Sequence, residues 1–116
     1  TFLQGDLLAP FSGKKAGWIV CNPPYISEEE YHNLDREVKD FEPRSALVGG
    51  VSGLEFYERL AKELPNFLYP HGKVWFEIGF SQGEAVSELF QDSCWKKAQL
   101  LKDWSGKDRF FFLEIE

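Results

Sequence analysis

Apolar residues in this chain fall into unbroken runs and helical steps, which alternate along it. Trp18-Ile19-Val20-Cys21 is an unbroken run that stops at Asn22-Pro23-Pro24. A run without polar alternation predicts a strand covered on both faces, as in parallel sheets. Leu54, Tyr57, Leu60, Ala61, Leu64, Phe67 and Leu68 recur at steps of three and four, which predicts a helix with one apolar face. Pro65 should bend or restart that helix. A turn at Pro70-His71-Gly72 then leads to a second strand, Val74-Trp75-Phe76-Glu77-Ile78, ending at Gly79. Ser27-x-x-Glu30, Ser52-x-x-Glu55 and Ser81-x-x-Glu84 each have capping-box spacing and predict helix starts, the last helix running to about Phe90. Two final strands, 95–102 and 109–115, are separated by a loop short enough for an antiparallel hairpin. Thr1-Phe2-Leu3 reads like the tail of one more strand.

This order predicts an α/β fold: parallel strands joined through helices, with a terminal antiparallel hairpin added at one side. Ligands of open parallel sheets sit beyond the carboxyl ends of the strands, so the residues after Cys21 and Ile78 are where chemistry belongs.

Composition narrows the classes. With 116 residues, 43% of them hydrophobic and 11 Phe and 4 Trp among them, the chain has material for a core and is not a disordered segment. It carries 13 Lys+Arg against 19 Asp+Glu, a net charge of -6, and no basic run longer than two residues. That balance is a poor partner for phosphate backbones, and no direct nucleic-acid contact is expected. Cys21 and Cys94 form no paired motif, and Cys21 closes an apolar run as a small hydrophobe would. His32 and His71 have no companions at ligand spacing, so no metal site is predicted. Neither a signal-peptide pattern nor an apolar stretch near the ~18 residues of a membrane span is present, and a soluble cytoplasmic protein is the expectation.

The tetrapeptide Asn22-Pro23-Pro24-Tyr25 carries the chemistry. A planar NH2 group, as in an amide or an exocyclic amine, is a weak nucleophile because its lone pair is delocalised. Two acceptors placed on its N–H bonds orient it and favour a more tetrahedral nitrogen. The Asn22 side-chain oxygen can be one acceptor and the Pro23 carbonyl the other. Pro23 and Pro24 fix φ and remove two N–H donors, leaving a rigid cradle of carbonyls. Tyr25 offers an aromatic face to the planar group and to a sulfonium methyl donor. No general base is needed before transfer, since the quaternised nitrogen loses its proton readily.

Asn22-Pro23-Pro24-Tyr25-Ile26 resembles the signature of S-adenosyl-L-methionine-dependent N-methyltransferases, both adenine-N6 enzymes and the HemK (PrmC) protein-glutamine N5-methyltransferases. The segments Phe41-Glu42-Pro43-Arg44-Ser45-Ala46-Leu47-Val48-Gly49-Gly50, Ser52-Gly53-Leu54, Glu77-Ile78-Gly79 with Gln82-Gly83, and Asp103…Gly106…Arg109 are similar to the HemK pattern. The resemblance spans about Gly5 to Arg109. It implies that Asn22 and the Pro23 carbonyl bind a substrate glutamine amide, that Tyr25 packs on it, and that Asn22 also borders the cofactor. It further implies that Asp6 accepts from the adenine amino group and that Leu7 packs on the adenine ring, with Leu7 smaller than the aromatic residue the family often has there. The implied substrate is the Gly-Gly-Gln glutamine of class-I peptide chain release factors, and the acidic balance favours a protein over DNA. An adenine-N6 methyltransferase and a non-catalytic module that docks release factors stay open.

Other motifs read more plainly. Glu77-x-Gly79-x-x-x-Gly83 lacks the central glycine of a cofactor loop and reads as a strand-to-helix turn, and Gly49-Gly50-x-x-Gly53 as a flexible turn entering a helix. Glu28-Glu29-Glu30 reads as a solvated helix start, with contact to a basic release-factor surface as the other option, while Phe41 and Glu42 can shape a substrate mouth. A complete methyltransferase sheet with its helices needs roughly 180 residues. The expectation is therefore the C-terminal half of a Rossmann-like catalytic domain, residues 1–116, starting at the end of the third strand and without the glycine-rich cofactor loop or the N-terminal helical domain. The absence of Met fits that expectation. By itself such a half should be inactive or nearly so.

Overall fold

The computed structural model describes residues 1–34 and 42–116. Among them, four strands form one mixed sheet in the order β1-β2-β4-β3. Strand β1 (Ala16–Cys21) runs parallel to β2 (Leu68–Glu77), with Ile19 opposite Val74 and Cys21 opposite Phe76. Strand β4 (Asp108–Ile115) is antiparallel to β2, pairing Phe111 with Phe76, and closes the hairpin with β3 (Trp95–Lys102). The helices are α1 (Glu28–His32), a single turn α2 (Arg44–Leu47), α3 (Glu55–Glu63) and α4 (Gly83–Leu89). The α/β class and the terminal antiparallel hairpin expected from the sequence are both present.

The core forms where the apolar stripe of α3 meets one face of the sheet. Tyr57 and Leu60 of α3, Val86 of α4 and Val74, Phe76 and Phe111 of the sheet are all buried together. Phe76 is the centre of an aromatic cluster, with ring centroids 5.4 Å from Tyr57, 5.5 Å from Phe90 and 5.5 Å from Phe111. Pro65 acts as expected: α3 stops at Glu63 and a 3-10 turn, Leu64–Phe67, carries the chain into β2. The 103–107 loop is organised by Asp103, whose carboxylate accepts the backbone N–H of Ser105 at 2.8 Å and of Lys107 at 3.1 Å.

Several expectations are corrected. Strand β1 is covered on one face only: Ile19 and Cys21 pack against the core, whereas Trp18 and Val20 are 63% and 80% exposed. The buried stripes of α3 and α4 lie on the same side, so alternate residues of the apolar run meet solvent. Residues 1–4 form no strand, and among the described residues none lies alongside to pair with them. The turn expected at 70–72 is absorbed into β2 as a bulge. The register jumps from Ala16↔Leu68 to Trp18↔Lys73, and His71 takes a left-handed φ of 65° beside Pro70, which has no N–H for the ladder.

Only the first capping box is made as spaced: the Ser27 hydroxyl accepts from Glu30 N–H, and the Glu30 carboxylate accepts from Ser27 N–H. Helix α3 instead starts after Leu54, with the Glu55 carboxylate folded back onto Ser52. Helix α4 starts after Gln82, and Ser81 caps nothing there. Among the described residues, no helix is long and apolar enough to cross a membrane.

Candidate functional site

The chain leaves β1 at Cys21 and enters Asn22-Pro23-Pro24-Tyr25, where two consecutive prolines end the ladder. All four residues line one cavity of about 340 Å³, together with Glu42 and Glu77. Asn22 is exposed, Pro23 is buried, and Pro24 and Tyr25 are half-buried. The tetrapeptide therefore stands at the carboxyl end of a parallel strand, where a ligand of this fold class binds. Phe41 lies outside the described residues. Glu42 is exposed at the rim of the cavity.

A second segment straps the tetrapeptide in place. Ile26 donates to the Leu47 carbonyl at 2.9 Å, Gly49 donates to the Ile26 carbonyl at 2.8 Å, and Ile26 and Val48 form a parallel bridge. A side chain at Gly49 would strike the Pro24 carbonyl, and one at Gly53 would strike the Tyr25 carbonyl. Gly53 also holds a φ of 84°. The turn read from the sequence as flexible is thus a close-packed backbone contact.

Gln82 completes the clamp; the sequence offered it only as part of the HemK-like pattern and gave no sign of this role. Its side-chain oxygen accepts the Gly79 N–H at 2.9 Å, and its NH2 group donates to the Tyr25 carbonyl at 2.8 Å and the Gly53 carbonyl at 3.3 Å. One buried amide therefore joins the segment after β1, the turn after β2 and the turn before α3. The glycine turn after β2 is a strand-to-helix turn as expected, and the Gln82 side chain occupies it.

The Tyr25 side chain is held separately. Its hydroxyl donates to the Glu77 carboxylate at 3.5 Å, which also accepts from Arg109 at 3.2 Å; Arg109 in turn donates to Asp103 at 3.3 Å. The Tyr57 hydroxyl donates to the Glu77 backbone carbonyl at 2.6 Å and fixes that strand end. Burial, and then the Glu77 carboxylate, push the Tyr25 phenol above its ordinary range, with Arg109 opposing. The phenol stays protonated and serves as a donor. Burial lifts the Cys21 thiol to about 11, so it is no nucleophile at neutral pH.

Asp6 and Leu7 are placed apart from the tetrapeptide cavity. Leu7 adopts a left-handed φ of 53° and, with Phe11, Ile19, Cys21 and Leu60, lines a mostly apolar cavity of about 440 Å³ alongside β1. Asp6 stands in the preceding turn, its carboxylate 3.0 Å from the Arg59 guanidinium, a partner the sequence did not suggest. Cys21 lines this apolar cavity and the next residue, Asn22, lines the tetrapeptide cavity. Among the described residues, no group of three or more His, Cys, Asp or Glu side chains is disposed to hold a metal ion.

Comparison with known proteins finds similar chains and a shared fold. Over 119 residues the chain is 49% identical to a release factor glutamine methyltransferase of Bacillus anthracis, covering all of this chain and 42% of that protein. It is 50% identical over 113 residues to the enzyme of the same name from Chlamydia trachomatis serovar L2, covering 97% of this chain and 38% of that one. The chain thus spans about two-fifths of the length of the curated relatives it matches. Its fold superposes on the crystal structure of a release-factor-specific protein-(glutamine-N5) methyltransferase from Alicyclobacillus acidocaldarius with a TM-score of 0.58 and 28% identity, covering 90% of this chain and 51% of that one. A methyltransferase from Pyrococcus furiosus shares the fold at a TM-score of 0.53 and 16% identity, covering 87% of this chain and 41% of that one. No protein-family model matches the chain. The sheet and helices described here are those of a methyltransferase fold.

Proposed function

We propose that this chain forms the substrate-facing part of an S-adenosyl-L-methionine-dependent methyltransferase that modifies the side-chain amide of glutamine, in the Gly-Gly-Gln motif of class-I peptide chain release factors. The observation that carries this reading is the rigid Asn22–Tyr25 segment, clamped at the carboxyl end of β1 and lining a cavity wide enough for a glutamine side chain. The relatives' names support a release-factor glutamine as the methyl acceptor.

In this reading the Asn22 side-chain oxygen and the Pro23 carbonyl accept the two N–H bonds of the amide and present its nitrogen lone pair. The Tyr25 ring packs on the amide plane and blocks the wrong approach. Clamping by Gln82 and by the glycine strap holds the Pro24 and Tyr25 backbone that follows these acceptors, which limits rearrangement of the segment when the substrate arrives. The cofactor, when bound, supplies an electrophilic methyl group on sulfur. At its adenine end, Leu7 would pack in the apolar cavity that reaches Cys21, and Asp6, in the same turn and paired with Arg59, would turn its carboxylate toward the amino group. Asn22 lines the tetrapeptide cavity and directly follows Cys21, which lines the apolar one, so in this reading it stands next to the cofactor. The net charge of -6 favours a protein substrate over a nucleic acid.

The test is mass spectrometry of a Gly-Gly-Gln release-factor peptide after incubation with S-adenosyl-L-methionine and the natural protein that carries this chain. The expected result is one added methyl on the glutamine, lost in Asn22→Ala. An unmodified peptide, or methylation of adenine in nucleic acid instead, overturns the reading.

A further inference from the structure

The ion-pair chain Asp103–Arg109–Glu77 ends on Tyr25 and begins in the hairpin loop, two regions far apart in sequence. Three features separate it from an ordinary surface pair. First, the Asp103 carboxylate is already fixed by two loop N–H groups, so it offers Arg109 a pre-set partner. Second, Arg109 uses Nε for Asp103 and Nη1 for Glu77, and this fork sets the direction of the planar guanidinium. Third, both strand ends are tied at the backbone: Ile78 donates to the Arg109 carbonyl at 2.8 Å, and Tyr57 holds the Glu77 carbonyl. The softest link left is the Tyr25 phenol at 3.5 Å.

Tyr25 stands between two cavities. It lines the tetrapeptide cavity on one side and, on the other, a cavity of about 190 Å³ shared with Gly79, Phe80 and Arg109. A Cβ at Gly79 would lie 3.2 Å from the Tyr25 ring, so the ring rests almost on backbone. Its position therefore fixes the shape of the cavity that receives the amide.

We infer that Arg109, braced by Asp103 and acting through Glu77, is a positioning residue that sets the Tyr25 ring, so that the C-terminal hairpin controls the geometry of methyl transfer. The inference rests on Tyr25 packing against the substrate amide. Arg109 itself touches no reacting atom. Its loss should lower kcat and leave peptide binding nearly unchanged, because a misplaced ring misaligns the amide without removing its acceptors.

The experiment uses the natural protein carrying this chain, labelled with 13C-tyrosine, the Tyr25 resonance being assigned by its loss in Tyr25→Phe. Arg109→Ala is expected to shift the Tyr25 resonance while the Tyr57 resonance stays in place. It should lower kcat about 10-fold on a Gly-Gly-Gln peptide with KM changed less than about 2-fold, and Arg109→Lys should recover part of the loss. Tyr25→Phe combined with Arg109→Ala should be no worse than Tyr25→Phe alone. Additive losses in the double variant, or an unmoved Tyr25 resonance in folded Arg109→Ala, overturn the inference. Should Arg109→Ala fail to fold, Glu77→Gln is read by the same criteria. If the wild-type protein leaves the peptide unmethylated, the proposed function fails, and the Tyr25 resonance still decides the positioning role.

Discussion

The Gln82 side-chain amide donates to the Tyr25 backbone carbonyl at 2.8 Å across 57 residues of sequence, and the same side chain accepts from Gly79. Replacing Gln82 with Ala strands two carbonyls and an N–H in a buried setting. The expected cost is about 2–3 kcal/mol. Gln82→Glu should not rescue it, because a carboxylate presents acceptors where the Tyr25 and Gly53 carbonyls need donors. Urea denaturation midpoints of the two variants check this: recovery by Glu would show that volume rather than hydrogen bonding matters.

The glycines divide sharply. Gly53→Ala meets the Tyr25 carbonyl at a left-handed φ and should destabilise by more than about 2 kcal/mol. Gly17→Ala adds a methyl where nothing lies within 4 Å, in an extended strand, and should be neutral or slightly stabilising. Melting temperatures of the two single variants compare them directly, and equal effects would contradict the strap.

Cys21 makes stability depend on alkaline pH. Its thiol ionises near 9 when unfolded and near about 11 when folded, the cause being burial. Its contribution is fully present below pH 9. It is lost between 9 and about 11, where the unfolded chain releases a proton that the folded chain keeps. Between pH 7.5 and 10 the wild type should therefore lose about 1 kcal/mol more than Cys21→Ala. Parallel losses in the two proteins would rule this out.

The Asp6–Arg59 pair separates stability from binding. Asp6 is well exposed and Arg59 partly so, and losing such a surface pair through Arg59→Ala should cost less than about 1 kcal/mol. Asp6→Asn should likewise leave stability nearly unchanged while weakening S-adenosyl-L-methionine binding to the natural protein about 10-fold, through loss of a charged acceptor. Calorimetric titration measures the affinity, and an unchanged value removes Asp6 from the cofactor site.

What the sequence revealed and what it hid follow from the range of each signal. Strands β1 and β2, helix α3, the hairpin and the tetrapeptide's place at a strand end were all legible, because apolar periodicity and proline chemistry are local. The clamping role of Gln82 was not: a single glutamine in a turn has no period, and two of its three partners come from distant segments. The spacing Ser81-x-x-Glu84 even pointed to a cap that Gln82 displaces. The run 18–21 was read as covered on both faces because an apolar run records only hydrophobicity, not which neighbours are present to bury it. Gly49 and Gly53 looked like flexible punctuation, although the backbone contacts they permit are long-range.

The bridge between Ile26 and Val48 has one more consequence. It pins both ends of the stretch 27–47 beside the cavity, so the length of that stretch is decoupled from the geometry at Asn22–Tyr25. Lengthening a closed loop is thermodynamically mild: doubling it costs only about 0.6 kcal/mol. Insertions between Ser27 and Leu47 should therefore leave the strap at Ile26 and Val48, and the Asn22–Tyr25 segment it holds, in place.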